Sequence, residues 1–404
     1  MGLQDVASGE RVHIGFFGLR NAGKSSVVNA IAGQNMALVS DVAGTTTDPV
    51  KKAMELLPIG PVLLIDTAGI DDVGMLGEKR VEKTKGILEK TDVAVLVVDA
   101  AKGKTSLDSA WIDLFQKKKL PYIVVYNKAD TVTEEKPQEE NEIFVSAKTQ
   151  YHIQELKEKI GALAKKEQKP KLVVGDLLQQ GDVVVLVMPI DEAAPKGRII
   201  LPQQMVLREI LDVGAIGISC QVPELAATLQ ALKQPPRLVI TDSQAFREVH
   251  EIVPPEILLT SFSILMARYK GDLETLVSGA RAIEHLQDKD KVLISEGCTH
   301  HRQCNDIGSV KIPNLIRKYT GKEPSFSFTS GGEFPNQLTE YAAVVHCGGC
   351  MLNEKEMKRR LQVATTQGVP IVNYGVLIAS INGILERSLA PFEAKPIERE
   401  TKPQ

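Results

Sequence analysis

The chain has 404 residues, too many for one ordinary hydrophobic core, so two or three domains are expected. With 43% hydrophobic and 25% charged residues it is neither disordered nor fibrous, and a net charge of −3 gives no global basic excess of the kind nucleic-acid binders carry. No apolar run reaches the roughly 18 residues of a membrane span, and residues 1–12 are polar without a signal-peptide core, so a cytoplasmic protein with no membrane segment is expected.

Residues 14–17 form an apolar run that reads as a strand, and residues 26–32 have helical spacing. Between them lies Gly18-Leu19-Arg20-Asn21-Ala22-Gly23-Lys24-Ser25, in the strand–loop–helix context of a phosphate-binding P-loop. The glycines let backbone N–H groups turn inward around phosphate oxygens. Lys24 would reach the β- and γ-phosphates, and Ser25 would offer its hydroxyl to Mg²⁺.

Residues 40–48, reading SDVAGTTTD, form a polar loop whose threonines would supply a second Mg²⁺ hydroxyl. A strand at 62–65 ends in Asp66-Thr67-Ala68-Gly69, placing a carboxylate where α/β sheets hold Mg²⁺ and an N–H at Gly69 to sense the γ-phosphate. Residues 71–90 read as a charged switch segment running into a helix, followed by a strand at 93–98. A strand at 123–126 ends in Asn127-Lys128-Ala129-Asp130. The Asp130 carboxylate can accept two N–H bonds from the guanine edge, which adenine cannot offer. A strand at 143–145 precedes Ser146-Ala147-Lys148, whose backbone N–H would meet the guanine carbonyl.

These four signatures, in order and each at a strand end, define a guanine-nucleotide domain. The stretch resembles the translation-factor-related GTPases, and within them the tRNA-modifying and ribosome-assembly group. That resemblance implies GTP contacts for Asn21, Ala22, Gly23, Lys24, Ser25 and Ser26, Mg²⁺ contacts for Ser25 and Thr46, and base contacts for Asn127, Lys128 and Asp130. Lys24, Thr46, Asp66 and Gly69 would serve hydrolysis. Ile70 stands where Ras-like enzymes place a water-orienting glutamine, and it cannot bond water. Relatives of this group use an Asn at the position of Asn21 to help bind K⁺, which would neutralise transition-state charge. The other reading of Asn21 is a loop residue with an unusual backbone angle.

A helical pattern over 152–166 closes this domain, and residues 165–171, reading KKEQKPK, suit an exposed linker. Strand-like runs at 183–187, 215–219, 238–241 and 257–259 then alternate with helical ones at 203–212, 224–232, 243–251 and 262–269. That is βα repetition with a mostly parallel sheet. No phosphate loop or acid–base group stands out there, and Cys220 reads as a buried apolar thiol.

The last region places strands at 291–295, 325–329 and 343–346, with helices at 310–320 and 354–366 between them. In a parallel sheet the loops after the strands emerge at one carboxyl edge, so sequence-distant cysteines meet. Cys347-Gly348-Gly349-Cys350 is a chelating pair and Cys298 supplies a third thiolate. The fourth ligand is open among Cys304, His300, His301, Asp306 and His346. Three thiolates with one replaceable position suit a [4Fe–4S] cluster with a labile corner better than structural zinc, which prefers paired knuckles, or a redox dithiol. The tail, residues 390–404, is Pro-rich, charged and expected to fray.

Cys298-x-His300 followed far downstream by His346-Cys347-x-x-Cys350, behind a P-loop domain, resembles the GTPase family among the [FeFe]-hydrogenase maturation proteins. The resemblance spans nearly the whole chain. It implies a scaffold carrying a [4Fe–4S] cluster and a di-iron precursor, loaded by two radical-SAM enzymes and delivering to apo-hydrogenase, and a homodimer; the acidic balance and the lack of a recognisable RNA module add the expectation of no nucleic-acid partner. The expected fold is α/β in three domains: a P-loop GTPase domain at 1–168, a middle, dimerising βα domain at 176–270 and an iron–sulfur βα domain at 271–404. An RNA-modification or ribosome-assembly GTPase, and a zinc- or redox-regulated GTPase switch, are the competing readings.

Overall fold

A computed structural model describes residues 8–33, 50–57, 59–67, 84, 86–132, 139–166, 171–190, 199–297, 306–331 and 333–393. The chain divides into two compact units, Met1–Lys169 and Pro170–Gln404.

The first unit is a six-stranded sheet. Its strands are β1 (Val12–Phe17), β2 (Val50–Leu56), β3 (Gly60–Asp66), β4 (Val93–Asp99), β5 (Tyr122–Asn127) and β6 (Glu142–Phe144), in the order β2-β3-β1-β4-β5-β6. All neighbours pair in parallel except β2, which runs antiparallel along β3. The period-2 pleat sends Val93, Val95 and Val97 to one face and Ala94, Leu96 and Val98 to the other. Both faces must therefore be covered, which is why the central strands read as unbroken apolar runs. Helices Lys24–Ala32 and Ile153–Lys166 cover the first face. Helix Ser106–Lys117 covers the second, and its Trp111 stacks on Phe17 at 5.3 Å. That helix starts with a capping box between Thr105 and Asp108.

The second unit holds two four-stranded sheets. The first contains β7 (Val183–Val187), β8 (Ile216–Cys220), β9 (Leu238–Thr241) and β10 (Leu258–Ser261), in the order β10-β9-β7-β8. The second contains β11 (Lys291–Ser295), β12 (Ser325–Thr329), β13 (Ala343–His346) and β14 (Ile371–Asn373), in the order β12-β11-β13-β14. Every pair in both is parallel.

One hydrophobic cluster joins the two sheets, taking in Val185, Val239 and Leu259 from the first and Val292, Val344 and Ile371 from the second. The C-terminal helix Leu385–Glu393 ties them further. Arg387 on it donates to the carbonyls of Val253 at 2.9 Å and Pro254 at 2.6 Å, and Thr260 Oγ1 donates to the Ser388 carbonyl at 3.0 Å. Residues 390–393, expected to fray, are thus part of a packed helix, because Leu385, Ser388 and Pro391 are buried on it. The rest of that tail lies outside the described residues, as do 40–48 and 71–83.

The shared core sets an expectation. Fragments 1–169 and 170–404 should each melt cooperatively alone, because each keeps its own core. A 176–270 fragment should not, since it loses the cover of residues 385–393. Calorimetry of the three fragments checks this, and a cooperative transition in 176–270 would contradict it.

Candidate functional site

The first site lies at the carboxyl ends of β1, β3 and β5. Gly18 has φ +139°, and a Cβ there would sit 2.2 Å from the Val97 carbonyl oxygen. Gly23 has φ +92°, and its Cβ would sit 2.2 Å from Asn127 Nδ2. Both positions demand glycine for conformation and for space. Lys24 is buried, and its Nζ donates to the Gly18 and Leu19 carbonyls at 3.0 and 2.9 Å. The loop thereby folds over its own lysine, with the N-terminus of helix Lys24–Ala32 facing the same space.

Ser25 Oγ donates to Asp66 Oδ2, joining the P-loop to the end of β3. Burial pushes the Asp66 carboxyl upward in pKa, against the pull of Ser25, Lys24 and Lys52. Its Oδ1 is buried and makes no hydrogen bond among the described residues. An orphaned carboxylate oxygen beside a serine hydroxyl fits a hard divalent cation such as Mg²⁺. Thr46 and Gly69, the other residues expected here, and Ile70 lie outside the described residues.

The base-side residues meet as the sequence implied. Asn127 is 2% exposed; its Nδ2 donates to the Ala22 carbonyl and its Oδ1 accepts from Ala147 N–H, each at 3.1 Å. This one side chain pins the P-loop to the 146–148 loop. Lys128 (φ +66°) donates to the Asn21 carbonyl at 2.9 Å and pairs with Asp99 at 2.6 Å. Burial opposes the Asp99 charge, but the bonds from Lys128 and the Ala101 N–H outweigh it and hold that carboxyl below its usual range. Asp130 accepts from Ser146 Oγ at 2.6 Å, which orients the carboxylate. Ser26 and Lys148 are exposed. Asn21 is exposed with φ +62°, so the unusual backbone angle is present. Asp99 was not anticipated; its only sequence signal is a carboxylate closing the β4 apolar run.

The second site lies where the sheet order reverses between β11 and β13, with Ser295 beside His346 in register. Open α/β sheets bind ligands at such switch points. The loop after β13 carries Cys347 and Cys350. Cys347 Sγ accepts N–H bonds from Gly297 at 3.0 Å and Gly349 at 3.4 Å. Gly349 has φ +63°, and a Cβ there would lie 2.6 Å from Met357 Sδ, so the turn between the cysteines needs glycine. Burial raises the Cys350 thiol pKa, as does the neighbouring Cys347, while Lys270 opposes the shift. Lys270 is 2% exposed and donates to the Cys350 and Leu352 carbonyls, each at 3.1 Å.

Two soft sulfur donors with backbone N–H support fit an iron–sulfur cluster. Cys298, His300, His301 and Cys304 lie outside the described residues. Among the described residues no three His, Cys, Asp or Glu side chains converge as a metal site.

Two of the candidate fourth ligands are already engaged. His346 is 0% exposed; its Nδ1 lies 2.6 Å from the Cys347 carbonyl oxygen and its Nε2 2.9 Å from Arg360 Nη1. The carbonyl requires a proton on Nδ1, and the guanidinium N–H requires a lone pair on Nε2. Both ring nitrogens are thus engaged by protein partners in this structure. The pleat explains it: His346 is the last residue of β13 and points into the core. Asp306 Oδ2 accepts from Ser309 N–H at 2.8 Å and Oγ at 2.9 Å, capping residues 307–311. Glu296, which carries no motif signal of its own, precedes Gly297-Cys298 in the sequence and accepts from Tyr374 OH at 3.4 Å.

By fold and site, the first unit is a P-loop GTPase domain, and residues 13–128 match the 50S ribosome-binding GTPase family. Residues 157–271 match the hydrogen maturase F dimerization domain and residues 274–391 the hydrogen maturase F tetramerization domain. The chain belongs to the hydrogen maturase F family. The G domain is also 40% identical over 165 residues to GTPase Der of Wolinella succinogenes, covering 37% of this chain and 35% of that protein. It is 39% identical over 129 residues to the tRNA modification GTPase MnmE of Laribacter hongkongensis, covering 31% and 28%. The chain thus spans about a third of the length of these relatives. A probable GTP-binding protein engB is 23% identical with a TM-score of 0.31, covering 38% of this chain and 100% of that one. The G domain of the T. maritima FeoB iron transporter is 21% identical with a TM-score of 0.30, covering 38% and 99%. No helix among the described residues is long and apolar enough to cross a membrane.

Proposed function

We propose that this chain is a GTP-hydrolysing scaffold that carries a [4Fe–4S] cluster and a di-iron precursor for assembly of the [FeFe]-hydrogenase active site. The observation that carries the reading is a thiol pair at a sheet switch point, in a chain whose residues 157–391 match hydrogen maturase F domains. Lys24 would hold the β- and γ-phosphates, Ser25 and Thr46 would hold Mg²⁺ with Asp66 behind them, and Asn127, Lys128 and Asp130 would hold guanine. Mg²⁺ supplies neutralisation of charge developing on the phosphate oxygens. Cys298, Cys347 and Cys350 would hold the cluster, leaving one position replaceable. The cluster supplies a soft iron site at which cargo is exchanged. Two radical-SAM enzymes would load the scaffold and apo-hydrogenase would receive the cargo.

Self-association fits the edge strand β8, where Ile216 is 53% exposed, and the preceding helix Leu201–Asp212, where Leu211 is 61% exposed. An open apolar strand edge is a surface that a second copy covers well. Light scattering returning a monomer mass would remove this part of the reading.

Anaerobic reconstitution with iron and sulfide tests the rest. An iron–sulfur absorption band together with GTP turnover supports it. Zinc alone would favour a metal-regulated switch, and tight binding of tRNA or ribosomal subunits without iron would favour an RNA-directed GTPase.

The site also bears on hydrolysis. With isoleucine at position 70, intrinsic turnover should be slow, and K⁺ should raise it over Na⁺ by tenfold or more, roughly 1.4 kcal/mol of barrier. Asn21→Ala should erase that preference. Equal rates in both salts would leave Asn21 a loop residue only.

A further inference from the structure

The largest fully buried side chain among the described residues is a charged one, Arg360. It lies on helix Glu354–Thr366, which follows the Cys347–Cys350 loop in the chain. Its Nε donates to Glu356 Oε1 at 2.9 Å and its Nη2 to the Gly331 carbonyl at 2.8 Å. Its Nη1 reaches Ser295 Oγ at 3.3 Å and His346 Nε2 at 2.9 Å, and the guanidinium lies 5.0 Å from the Phe334 ring centre. Burying a guanidinium is expensive, and a well-packed apolar side chain commonly does as well or better for stability. The contacts point to what the charge is for. Ser295 and His346 are the terminal residues of β11 and β13, the strands that precede Cys298 and Cys347 in the sequence. Nη1 bridges those two strand ends. By taking the His346 Nε2 lone pair it holds the proton on Nδ1, which binds the Cys347 carbonyl at 2.6 Å.

We propose that Arg360 is a positioning residue for the cluster: through His346 it fixes the Cys347 turn, and its buried charge favours the reduced cluster. This rests on the cluster reading above. The second half follows from Coulomb attraction, since a cation held in a low-dielectric interior near thiolate-bound iron stabilises the added negative charge. Lys270 acts from the Cys350 carbonyl and stays constant through the comparison.

The test uses the full chain, reconstituted anaerobically and titrated with dithionite as the external reductant. Each cluster accepts one electron and no proton is assigned. R360Q should lower the midpoint potential by about 60 mV, a tenfold change in a one-electron equilibrium. E356Q, which leaves the guanidinium and removes its carboxylate, should raise it by a similar amount. R360K should restore most of the R360Q shift while altering the paramagnetic spectrum, because an ammonium keeps the charge without the fork. H346Q should keep its iron, since an amide can still donate to Cys347 and accept from Arg360.

Opposite signs for R360Q and E356Q separate a charge effect from loosened packing, which would move both the same way. If R360Q fails to load, the upward shift in E356Q still decides the matter. Unchanged potentials in a loaded wild type and loaded variants would overturn this inference alone. Iron lost from H346Q with Arg360 intact would make His346 a ligand and overturn it too. A wild type that takes up no iron–sulfur cluster would overturn the cluster reading, and the inference with it.

Discussion

Asp130→Asn should weaken GTP binding on the order of a hundredfold or more, because a site built to hydrogen-bond a base edge rejects a mismatched partner steeply. The carboxylate would take two N–H bonds from guanine, whereas an asparagine would have to present its NH₂ to one of those donors. Xanthine carries a carbonyl where guanine carries its amino group, so the variant should gain affinity for xanthosine triphosphate. The fold should survive. Asp130 is exposed, and its partner Ser146 Oγ also accepts the Thr149 N–H at 3.1 Å. Asn127, not Asp130, braces the P-loop. Titration with labelled GTP, ATP and xanthosine triphosphate checks the result. Wild-type protein with equal affinity for ATP and GTP would contradict the role of Asp130.

The nucleotide site was readable because each motif begins where an apolar run stops. β3 ends at Asp66 and β5 at Asn127, so the chemistry is written at the strand boundary. Strands β9, β11, β12 and β13 were legible for the same reason, being short apolar or β-branched runs bounded by polar loops. β2 was not, because VKKAMEL is a half-exposed antiparallel edge with only Met54 and Leu56 buried. Helix Leu273–Ala282, β14 and helix Tyr374–Ile381 also escaped. β14 is three residues long, and the apolar YGVLIASI that follows it has no polar face to reveal a helical period.

Around the thiols, the sequence did not separate the residues of the Cys347–Cys350 loop from the buried polar network behind them. His346 beside a Cys-x-x-Cys pair looks like a ligand, yet its place in β13 turns it inward to Arg360. Arg360 and Glu356 sit in EKEMKRRLQVATT, which reads as a solvated charged helix, and Lys270 closes a helix as an ordinary basic cap. A charged residue's burial depends on which neighbour packs over it, and one-dimensional spacing does not carry that information. Glu356, at 1% exposure, and Arg360, at 0%, became functional candidates only when the sheets were brought together.

Cys347→Ala, Cys350→Ala and Cys298→Ala should each reduce bound iron from about four per chain, the cubane count, to near zero. Two of these thiols stand on one glycine turn, and the Gly297 and Gly349 N–H bonds to Cys347 Sγ favour a thiolate there. His346→Ala should keep its iron, because its nitrogens already serve Arg360 and the Cys347 carbonyl, although the loop should loosen. Cys304→Ala should also keep the cluster if the fourth position is the exchangeable one. A carrier must take up and release its cargo at iron, and a site closed by four thiolates resists that. A harder ligand, such as an imidazole or a carboxylate, binds soft iron–sulfur iron less firmly and yields to an incoming group. Iron and sulfide analysis with paramagnetic spectra of the five variants separates the cases. Retained iron with an altered spectrum in Cys304→Ala would mean that residue was bound and replaceable. Loss of iron in Cys304→Ala as complete as in Cys298→Ala would mean four thiolates close the site, and cargo exchange at an open corner would have to be given up.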